Sequence, residues 1–444
     1  MMKWHYRMAL TGAVAVIIWG CSGLLHPLMT WTNPRAATFM PPAAESYVIP
    51  PQEQVHGILR DHDITQFTAL RIGASWIQVS VPDSAERLYF SLPDGQPIAD
   101  GDRLHAVALA RYYSGLTDAA VADATLVTAF SNRYTYINRY LPVWQVTFDD
   151  PRGLSVYVDT ATDRLGAITD TRKVILQGLF QTLHTGQWLE GAEALRLALI
   201  AALVGSALSV AVAGLYLLVR LRGKRRGLRR AHRALGYAAL VPLLMFPVSG
   251  LFHLFVQSPL LYKERAAVSG PVETAALDRL PQGRADDVRL VQPSWWRVQN
   301  GRAVSYIPVS GGQTLEGDEA YVRQMAGEGI RDVSLVTSFS DEYGFAYKRL
   351  PVWRVERGDR LLFIEARTGV VAADVDRLKV VETWTFSRLH KWQFLDGVSA
   401  KISGPGPFKT AFRDAVMVVF VLAGLGMAVI GLRLHRRKLT SPLS

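Results

Sequence analysis

Histidine recurs at matched points of two widely separated apolar segments of this 444-residue chain. The segment Ser-Gly-Leu-Leu-His ends at His26, and the segment Ser-Gly-Leu-Phe-His ends at His253. A further histidine lies 21 residues before each of them, at His5 and at His232. Because an ionisable side chain in an apolar, membrane-length segment is costly, each of these histidines is a candidate functional residue.

The 21-residue spacing has a direct geometric meaning in an α-helix. Twenty-one residues rise about 31 Å and turn about 2100°, which leaves the two side chains within roughly 60° of one face. The hydrocarbon core of a bilayer is also about 30 Å thick. We therefore expect each segment to be a helix that presents one imidazole at each membrane edge, both toward the same side.

Facing imidazoles between helices suit b-type haem, because they bind the iron from both sides of the flat ring. Covalently attached c-type haem is excluded, since the chain has one cysteine and no Cys-x-x-Cys-His motif. Two haems are expected, and six ligands allow three at most. The sequence identifies no catalytic residue. The predicted cofactor-binding residues, which would ligate the haem iron, are His5, His232, His26, His253, His184 and His390.

These histidines also have simpler roles that the sequence leaves open. A single histidine at a membrane boundary often bonds only a carbonyl group or a lipid headgroup. At the membrane edge where His26 lies, four histidines are candidate iron ligands, and the sequence does not decide how they pair. They are His26, His253, His184 and His390. Glycines beside them, such as Gly12, Gly20 and Gly250, either make room for a ring or permit close helix packing. A zinc enzyme is disfavoured, because no His-x-x-x-His motif accompanies the histidines.

Four apolar stretches are long enough to cross a bilayer, at about residues 8–30, 195–219, 235–257 and 412–432. The connection RLRGKRRGLRRAHR carries eight Arg/Lys residues and no acid, and both termini are basic. The positive-inside rule places these parts in the cytoplasm. We predict a multi-pass membrane protein in contact with the lipid bilayer. The net charge of +11 then reflects topology, so no nucleic-acid partner is expected.

The chain reads as two related halves. Residues 126–146 align without a gap with residues 335–355, and residues 183–191 align with 389–397. Alternating apolar and polar residues around turn signals, with one short helix per half, predict an α+β domain in each. The predicted fold class is membrane α plus α+β: four transmembrane helices as a duplicated two-helix unit, with two periplasmic α+β domains.

The predicted domain boundaries follow from these patterns. They are transmembrane helix 1 at 1–30, periplasmic domain 1 at 31–194, transmembrane helix 2 at 195–222, a basic cytoplasmic loop at 223–232, transmembrane helix 3 at 233–257, periplasmic domain 2 at 258–411, transmembrane helix 4 at 412–434 and a cytoplasmic tail at 435–444.

The third span begins with His232-Arg233-Ala234-Leu235-Gly236, and the motifs Leu183-His184 and Leu389-His390 precede the return spans. These motifs resemble those of the PepSY-associated transmembrane family of bacterial inner-membrane proteins. The segments TDRLGAI and RTGVVAA resemble the end of a PepSY domain. The first span departs from the pattern, because HYRMA stands where the family has His-Arg-x-Leu-Gly. The resemblance implies two periplasmic PepSY-like domains.

Some members of that family are haem-containing inner-membrane reductases implicated in ferric-siderophore uptake. The resemblance therefore implies a haem-dependent membrane oxidoreductase that moves electrons from a cytoplasmic reductase or a quinol to a periplasmic acceptor, such as an iron chelate. The alternative is a non-catalytic PepSY-domain membrane protein that binds a peptide, a protease or a transporter partner.

Overall fold

The structure is a computed structural model of the whole chain. It describes residues 1–440 except for residues 61, 63, 73, 132, 222, 224–225, 259–273, 292–293, 341, 345–346, 405 and 407. The described residues form two compact units. The helical unit is drawn from Met1–Asn33, Arg172–Glu264 and Leu378–Ser444, and the sheet unit is drawn from Pro34–Thr171 and Arg265–Arg377.

Ten α-helices run through the described residues, and four of them are long and apolar enough to cross a membrane. The ten helices are α1 (Met2–Thr32), α2 (Gln52–Leu59), α3 (Gly101–Ser114), α4 (Thr171–Phe180), α5 (Glu193–Arg220), α6 (Gly227–Val256), α7 (Asp318–Ala326), α8 (Arg377–Thr385), α9 (Asp396–Ser403) and α10 (Ala411–Thr440). The four membrane-length helices are α1, α5, α6 and α10, so the predicted combination of membrane helices with α+β structure is confirmed.

The observed bounds differ from the predicted ones at α6, at the edges of the soluble domains and at α10, which continues to Thr440 in the predicted tail 435–444. Helix α6 already begins at Gly227, so most of the predicted loop 223–232 is helical and His232 lies inside a helix. Residues 172–194 and 378–411 belong to the helical unit, although the sequence patterns place them in the soluble domains. In the basic connection, residues 222 and 224–225 lie outside the described residues, as do residues 441–444 of the predicted tail.

The four long helices form a bundle in which α1 and α6 lie diagonally. Helix α1 packs against α5 and α10, and α6 packs against the same two helices. Small residues permit this close approach, because a Cβ added at Gly12 would lie 2.8 Å from Val210 Cγ2 and one at Gly20 would lie 2.8 Å from Leu425 Cδ2. These two glycines therefore serve helix packing. In this arrangement His5 of α1 and His232 of α6 face each other across the bundle.

Seventeen strands within the described residues form the sheets of the sheet unit. They are β1 (Tyr47–Val48), β2 (Gln66–Ile72), β3 (Ala74–Ser80), β4 (Leu88–Ser91), β5 (Val121–Val127), β6 (Val143–Phe148), β7 (Ser155–Asp159), β8 (Arg164–Thr169), β9 (Arg284–Ala285), β10 (Asp287–Val291), β11 (Trp295–Asn300), β12 (Ala303–Pro308), β13 (Leu315–Glu316), β14 (Ile330–Val336), β15 (Val352–Arg357), β16 (Arg360–Glu365) and β17 (Val370–Asp376).

The sheets are antiparallel, and two of them, the two-stranded sheet β1-β9 and a seven-stranded sheet, join the two sequence halves. Each half contains a four-stranded sheet, β5-β6-β7-β8 or β14-β15-β16-β17. The seven-stranded sheet β13-β12-β11-β10-β2-β3-β4 takes strands from both halves, because β10 pairs with β2. The two predicted α+β regions therefore share two sheets in addition to the four-stranded sheet that each contains.

The interior of the sheet unit combines apolar clusters with buried ion pairs. Tyr113, Val146 and Val156 pack where helix α3 covers its four-stranded sheet, and all three are almost fully buried. Elsewhere in this unit the carboxylate of Glu365 accepts hydrogen bonds from the guanidinium groups of Arg164 and Arg349. Arg164 and Glu365 lie in different halves of the sequence, so this pair ties β8 to β16.

Candidate functional site

The first histidine pair lies at one end of the helical bundle. His5 on α1 and His232 on α6 face each other with ring centres 6.5 Å apart and ring planes 67° apart. Glycines of the return helices lie beside both rings and leave them room. A Cβ added at Gly214 of α5 would lie 3.8 Å from His5 Cε1, and one at Gly431 of α10 would lie 3.2 Å from His232 Cε1.

Backbone carbonyls set the orientation of these two rings. The Nδ1 of His232 lies 3.1 Å from the carbonyl oxygen of Met427, which can only accept, so Nδ1 carries the proton and Nε2 keeps its lone pair. The Nδ1 of His5 is buried and has no hydrogen-bond partner within the described part of the chain, and the backbone of Val210 interacts with the His5 ring. At least the Nε2 of His232 is thus free to bind a metal.

The second pair lies at the opposite end of the helical unit. His184 and His390 have ring centres 6.3 Å apart and ring planes 86° apart. Each lies in a five-residue π-helical segment, Gln181–Thr185 or Phe386–His390, that continues helix α4 or α8. Such π segments are often found at functional sites because they redirect side chains.

A residue with a left-handed backbone follows each π-helical segment. Gly186 has φ of +64°, which glycine adopts without steric cost. Trp392 occupies the aligned position with φ of +53°, a conformation that other residues rarely adopt. Its buried indole packs 5.7 Å from Phe246, whose ring lies 5.6 Å from His390. Packing around Trp392 thus holds a strained backbone next to the second pair.

The serines of the two Ser-Gly-Leu-x-His motifs orient the second pair. Ser22 Oγ lies 2.9 Å from Nδ1 of His184, and Ser249 Oγ lies 3.1 Å from Nδ1 of His390. Each hydroxyl donates its own proton to a backbone carbonyl one turn back in its helix. Each serine oxygen therefore accepts from the histidine Nδ1–H, which leaves both Nε2 lone pairs free. This role was not predicted from the sequence, although the repeated serines were its signal.

Aromatic rings and burial complete the surroundings of the second pair. Phe180 stacks on His184 with ring centres 4.5 Å apart, and Phe386 stacks on His390 at 4.6 Å. Burial, together with the charge of His26, lowers the pKa of His184 to about 4. Burial, together with the neighbouring histidines and a lysine, lowers the pKa of His390 to about 3. Both rings are therefore neutral near pH 7, which is the form that binds iron.

His26 and His253, which occupy matching positions of the two halves, are not brought together in the same way. Within the described residues no ring contact joins His26 to His253. His253 Nδ1 instead bonds the carboxylate of Glu382, and its ring stacks on Phe386 at 4.2 Å. His26 interacts electrostatically with charged residues near the start of α10, among them Asp414. Iron ligation by His26 and His253 stays a prediction.

Charged side chains surround this end of the helical unit. Lys391 Nζ lies 5.0 Å from the centre of the Phe386 ring, and burial lowers the pKa of this lysine. Arg413 bonds Asp396 and Asp414. Burial raises the pKa of Glu382, but the bond from His253 and the charges of His253 and Lys379 outweigh it and hold the pKa below its usual value. Cationic groups thus lie close to the second pair.

The two histidine pairs fit the geometry of bis-imidazole iron. Two imidazoles bound to one metal through bonds of about 2 Å hold their ring centres about 6 Å apart. The observed separations are 6.5 Å for His5 and His232 and 6.3 Å for His184 and His390. In the part of the chain that the structure describes, no group of three or more His, Cys, Asp or Glu side chains is placed to hold a metal ion. Two facing imidazoles therefore suit haem, whose ring supplies the remaining ligands.

The fold and these pairs define a multi-pass membrane protein with a four-helix bundle and an antiparallel sheet unit. The chain belongs to the PepSY-associated transmembrane family. The sequence profile of this family, which is described as the PepSY-associated TM region, matches residues 2–438. The predicted family is thereby confirmed over nearly the whole chain. A comparison with curated proteins finds no match.

Proposed function

We propose that this protein is an inner-membrane b-type haem protein that moves electrons across the membrane to a periplasmic acceptor. The observation that carries the proposal is the pair of facing histidines at each end of one bundle, with ring centres 6.5 Å and 6.3 Å apart. The proposal assigns ligation to His5, His232, His184 and His390. It leaves His26 and His253 unassigned.

The chain's own residues would bind, orient and shield two haems. When bound, haem supplies one-electron redox chemistry at its iron. Carbonyl and serine oxygens fix the Nδ1 protons of at least three of the four histidines, which aims their Nε2 atoms at a metal. Lys391, whose Nζ lies 5.0 Å from the centre of the Phe386 ring, would supply positive charge near the acidic groups of haem.

The spacing of the two pairs suits transfer across a bilayer. Ser22 follows His5 by 17 residues on α1, and Ser249 follows His232 by 17 residues on α6. Seventeen helical residues rise about 25 Å, which is most of the hydrocarbon thickness. Because the serines bond the second pair, the two pairs lie near opposite membrane edges.

Orientation and origin form part of the same proposal. The basic residues beside His5 and His232 support a cytoplasmic location for that end and for both termini, with the sheet unit in the periplasm. The matching serine–histidine bonds and matching four-stranded sheets in the two halves support duplication of an ancestral two-helix unit with a PepSY-like domain. A ferric-siderophore or other iron chelate is the acceptor that the family resemblance implies.

The absorption spectrum of the purified protein tests this proposal. Protein extracted from membranes without added haem is expected to show a Soret band that shifts on reduction with dithionite. A colourless preparation that is fully folded by circular dichroism would contradict haem binding. It would favour the alternative, a membrane protein whose sheet unit binds a peptide, a protease or a transporter.

Removal of one orienting serine is expected to weaken haem binding at the second pair. Ser249→Ala deletes the acceptor for His390 Nδ1–H, and loss of such a partner typically lowers metal affinity about 10- to 100-fold. Haem retention during dilution or titration with apomyoglobin measures the effect. Ser209→Ala is the control, since this serine bonds only a carbonyl of its own helix. Equal retention in both variants would show that the serine does not orient a ligand.

A further inference from the structure

The end of the helical unit that carries His5 and His232 is strongly basic. Residues 3–7, 220–233 and 433–438 of the sequence contain fourteen arginine and lysine residues and no Asp or Glu. We call these three stretches the basic end. A surface with so large an excess of one charge attracts partners of the opposite charge and speeds their arrival.

The basic residues of α1 and α6 lie next to the first histidine pair. Arg7 follows His5 by two residues on α1. Arg230 precedes His232 by two residues on α6. Two helical residues rise about 3 Å, so both guanidinium groups start within one turn of a predicted iron ligand. The two imidazole rings are themselves partly exposed, which places this pair near the surface of the unit.

The return helices α5 and α10 add positive charge to the same end. Gly214 of α5 and Gly431 of α10 are the glycines beside the first pair. Arg220 follows Gly214 by six residues, which is about 9 Å of helix rise. Arg433 follows Gly431 by two residues, or about 3 Å. Positive side chains from all four long helices therefore lie close to the first pair.

Three of these helices extend past the apolar stretches that cross the bilayer. Helices α1 and α6 begin six and eight residues before their apolar stretches, and α10 continues eight residues beyond its own. These extensions are about 9 to 12 Å long, whereas the headgroup layer is about 5 to 8 Å thick on each side. Arg229 and Arg230, which are both exposed, begin about 8 to 9 Å beyond the apolar stretch. A water-soluble protein can therefore reach them.

The kind of basic residue also bears on the partner. Eleven of the fourteen residues are arginine. The positive-inside rule counts arginine and lysine alike, so topology does not require this preference. Guanidinium groups bind carboxylates through two parallel hydrogen bonds, which lysine cannot do. The basic end thus suits a partner that presents Asp and Glu side chains.

We propose that the basic end is the docking surface for a water-soluble, one-electron carrier protein with an acidic face, which is the electron donor of the proposed function. The inference rests on that function, because the reduced carrier needs a ferric haem at His5 and His232 as its oxidant. The carrier loses one electron, and the haem iron goes from the ferric to the ferrous state. No covalent bond breaks and no proton moves. Electrons thus enter at the first pair and leave at the second, near the opposite membrane edge.

Stopped-flow reduction of haem by a plant-type [2Fe–2S] ferredoxin, an acidic one-electron carrier, tests this surface. The full-length protein is used in nanodiscs of phosphatidylcholine, which carries no net charge. In the double variant Arg229→Gln with Arg230→Gln, we expect the second-order rate constant at low salt to fall about tenfold, because electrostatic steering raises association rates by ten- to a thousandfold. At high salt the double variant and the wild type should react equally fast, since salt screens the charges.

Matched variants separate charge from structure. Arg229→Lys with Arg230→Lys keeps the charge and should keep most of the rate. Lys401→Gln with Lys409→Gln removes two exposed charges at the opposite end of the unit and should leave the rate unchanged. Haem content should equal that of the wild type in all of them. Six Arg/Lys residues remain in the basic connection after the two glutamine substitutions, so the topology is preserved.

A binding measurement that needs no haem distinguishes failure of this inference from failure of the proposed function. By fluorescence anisotropy, labelled ferredoxin should bind the wild type in a salt-dependent way and bind Arg229→Gln with Arg230→Gln more weakly. Cytochrome c, a basic carrier, should not bind. A wild type that binds ferredoxin in this way but holds no haem would refute the proposed function, and with it the donor role, and leave the docking surface.

Two results would overturn the docking surface and leave the haem proposal intact. One is a haem-loaded wild type to which ferredoxin does not bind. The other is equal ferredoxin binding and equal reduction rates in the wild type and in Arg229→Gln with Arg230→Gln. If that variant then retains less phosphatidylglycerol, counted by native mass spectrometry after exchange into anionic nanodiscs, the basic end binds lipid and not a carrier protein.

Discussion

Alanine at His184 or His390 is expected to remove about half of the haem from the purified protein. Each ring is one of two imidazoles that face each other 6.3 Å apart, and a bis-histidine iron loses its haem readily once one ligand is gone. The same loss is expected for alanine at His5 or His232, whose rings are 6.5 Å apart. The pyridine haemochrome assay, normalised to protein, measures it.

Combined variants identify which haem each histidine holds. His184→Ala with His390→Ala should lose no more haem than either alone, because both remove the same site. His184→Ala with His232→Ala should lose nearly all of it. His56→Ala is the control, since this ring lies in the sheet unit and pairs with Asp278. Full haem content in all four single variants would refute the assignment of ligands.

Glu365→Gln is expected to lower the free energy of unfolding of the sheet unit by about 3 to 5 kcal/mol, as breaking a buried ion pair does. The carboxylate is 1% exposed and is bonded by both Arg164 and Arg349. Its loss leaves two largely buried guanidinium groups without their counter-charge. Urea unfolding of the whole chain in detergent, followed by near-ultraviolet circular dichroism, measures the change.

The pH dependence of stability gives an independent check on this pair. Burial opposes ionisation of Glu365, but Arg164 and Arg349 outweigh it and lower its pKa to about 2. Because the folded-state pKa is depressed, the stabilisation is present above about pH 4.5 and is lost as pH falls toward 2. Glu365→Gln should lack this part of the acid dependence.

An exposed ion pair provides the matched control for this prediction. Glu319 and Arg323 pair across one helical turn with side chains about half exposed. Glu319→Gln should therefore change the free energy of unfolding by less than about 1 kcal/mol. A Glu365→Gln protein as stable as this control would show that the buried pair contributes little.

Local sequence patterns were sufficient for the membrane helices. Apolar runs of the right length predicted α1, α5, α6 and α10, because hydrocarbon leaves the backbone few alternatives to a helix. Helix ends were less predictable. The basic segment before His232 contains good helix formers, so α6 starts at Gly227, although its charges resemble those of a loop.

The sequence by itself determined which side chains were available and how far apart they lie along each helix. The 21-residue spacing on α1 and α6, the two Ser-Gly-Leu-x-His motifs and the Leu-His motifs are all local in the chain, so they can be read without knowledge of the fold. The tertiary structure decided which rings face each other. It set His184 against His390 and gave each of them a serine from another helix.

The contacts of Glu382 and the pairing within the shared seven-stranded sheet were also decided by the tertiary structure and not by the local sequence. No residue near Glu382 in the sequence indicates that its partner is His253, which lies 129 residues earlier. The residues of strands β2 and β10 likewise do not indicate that these two strands pair with each other across the two halves. Such contacts depend on the simultaneous packing of distant segments, whose free energy is a property of the assembled interior and not of any local pattern.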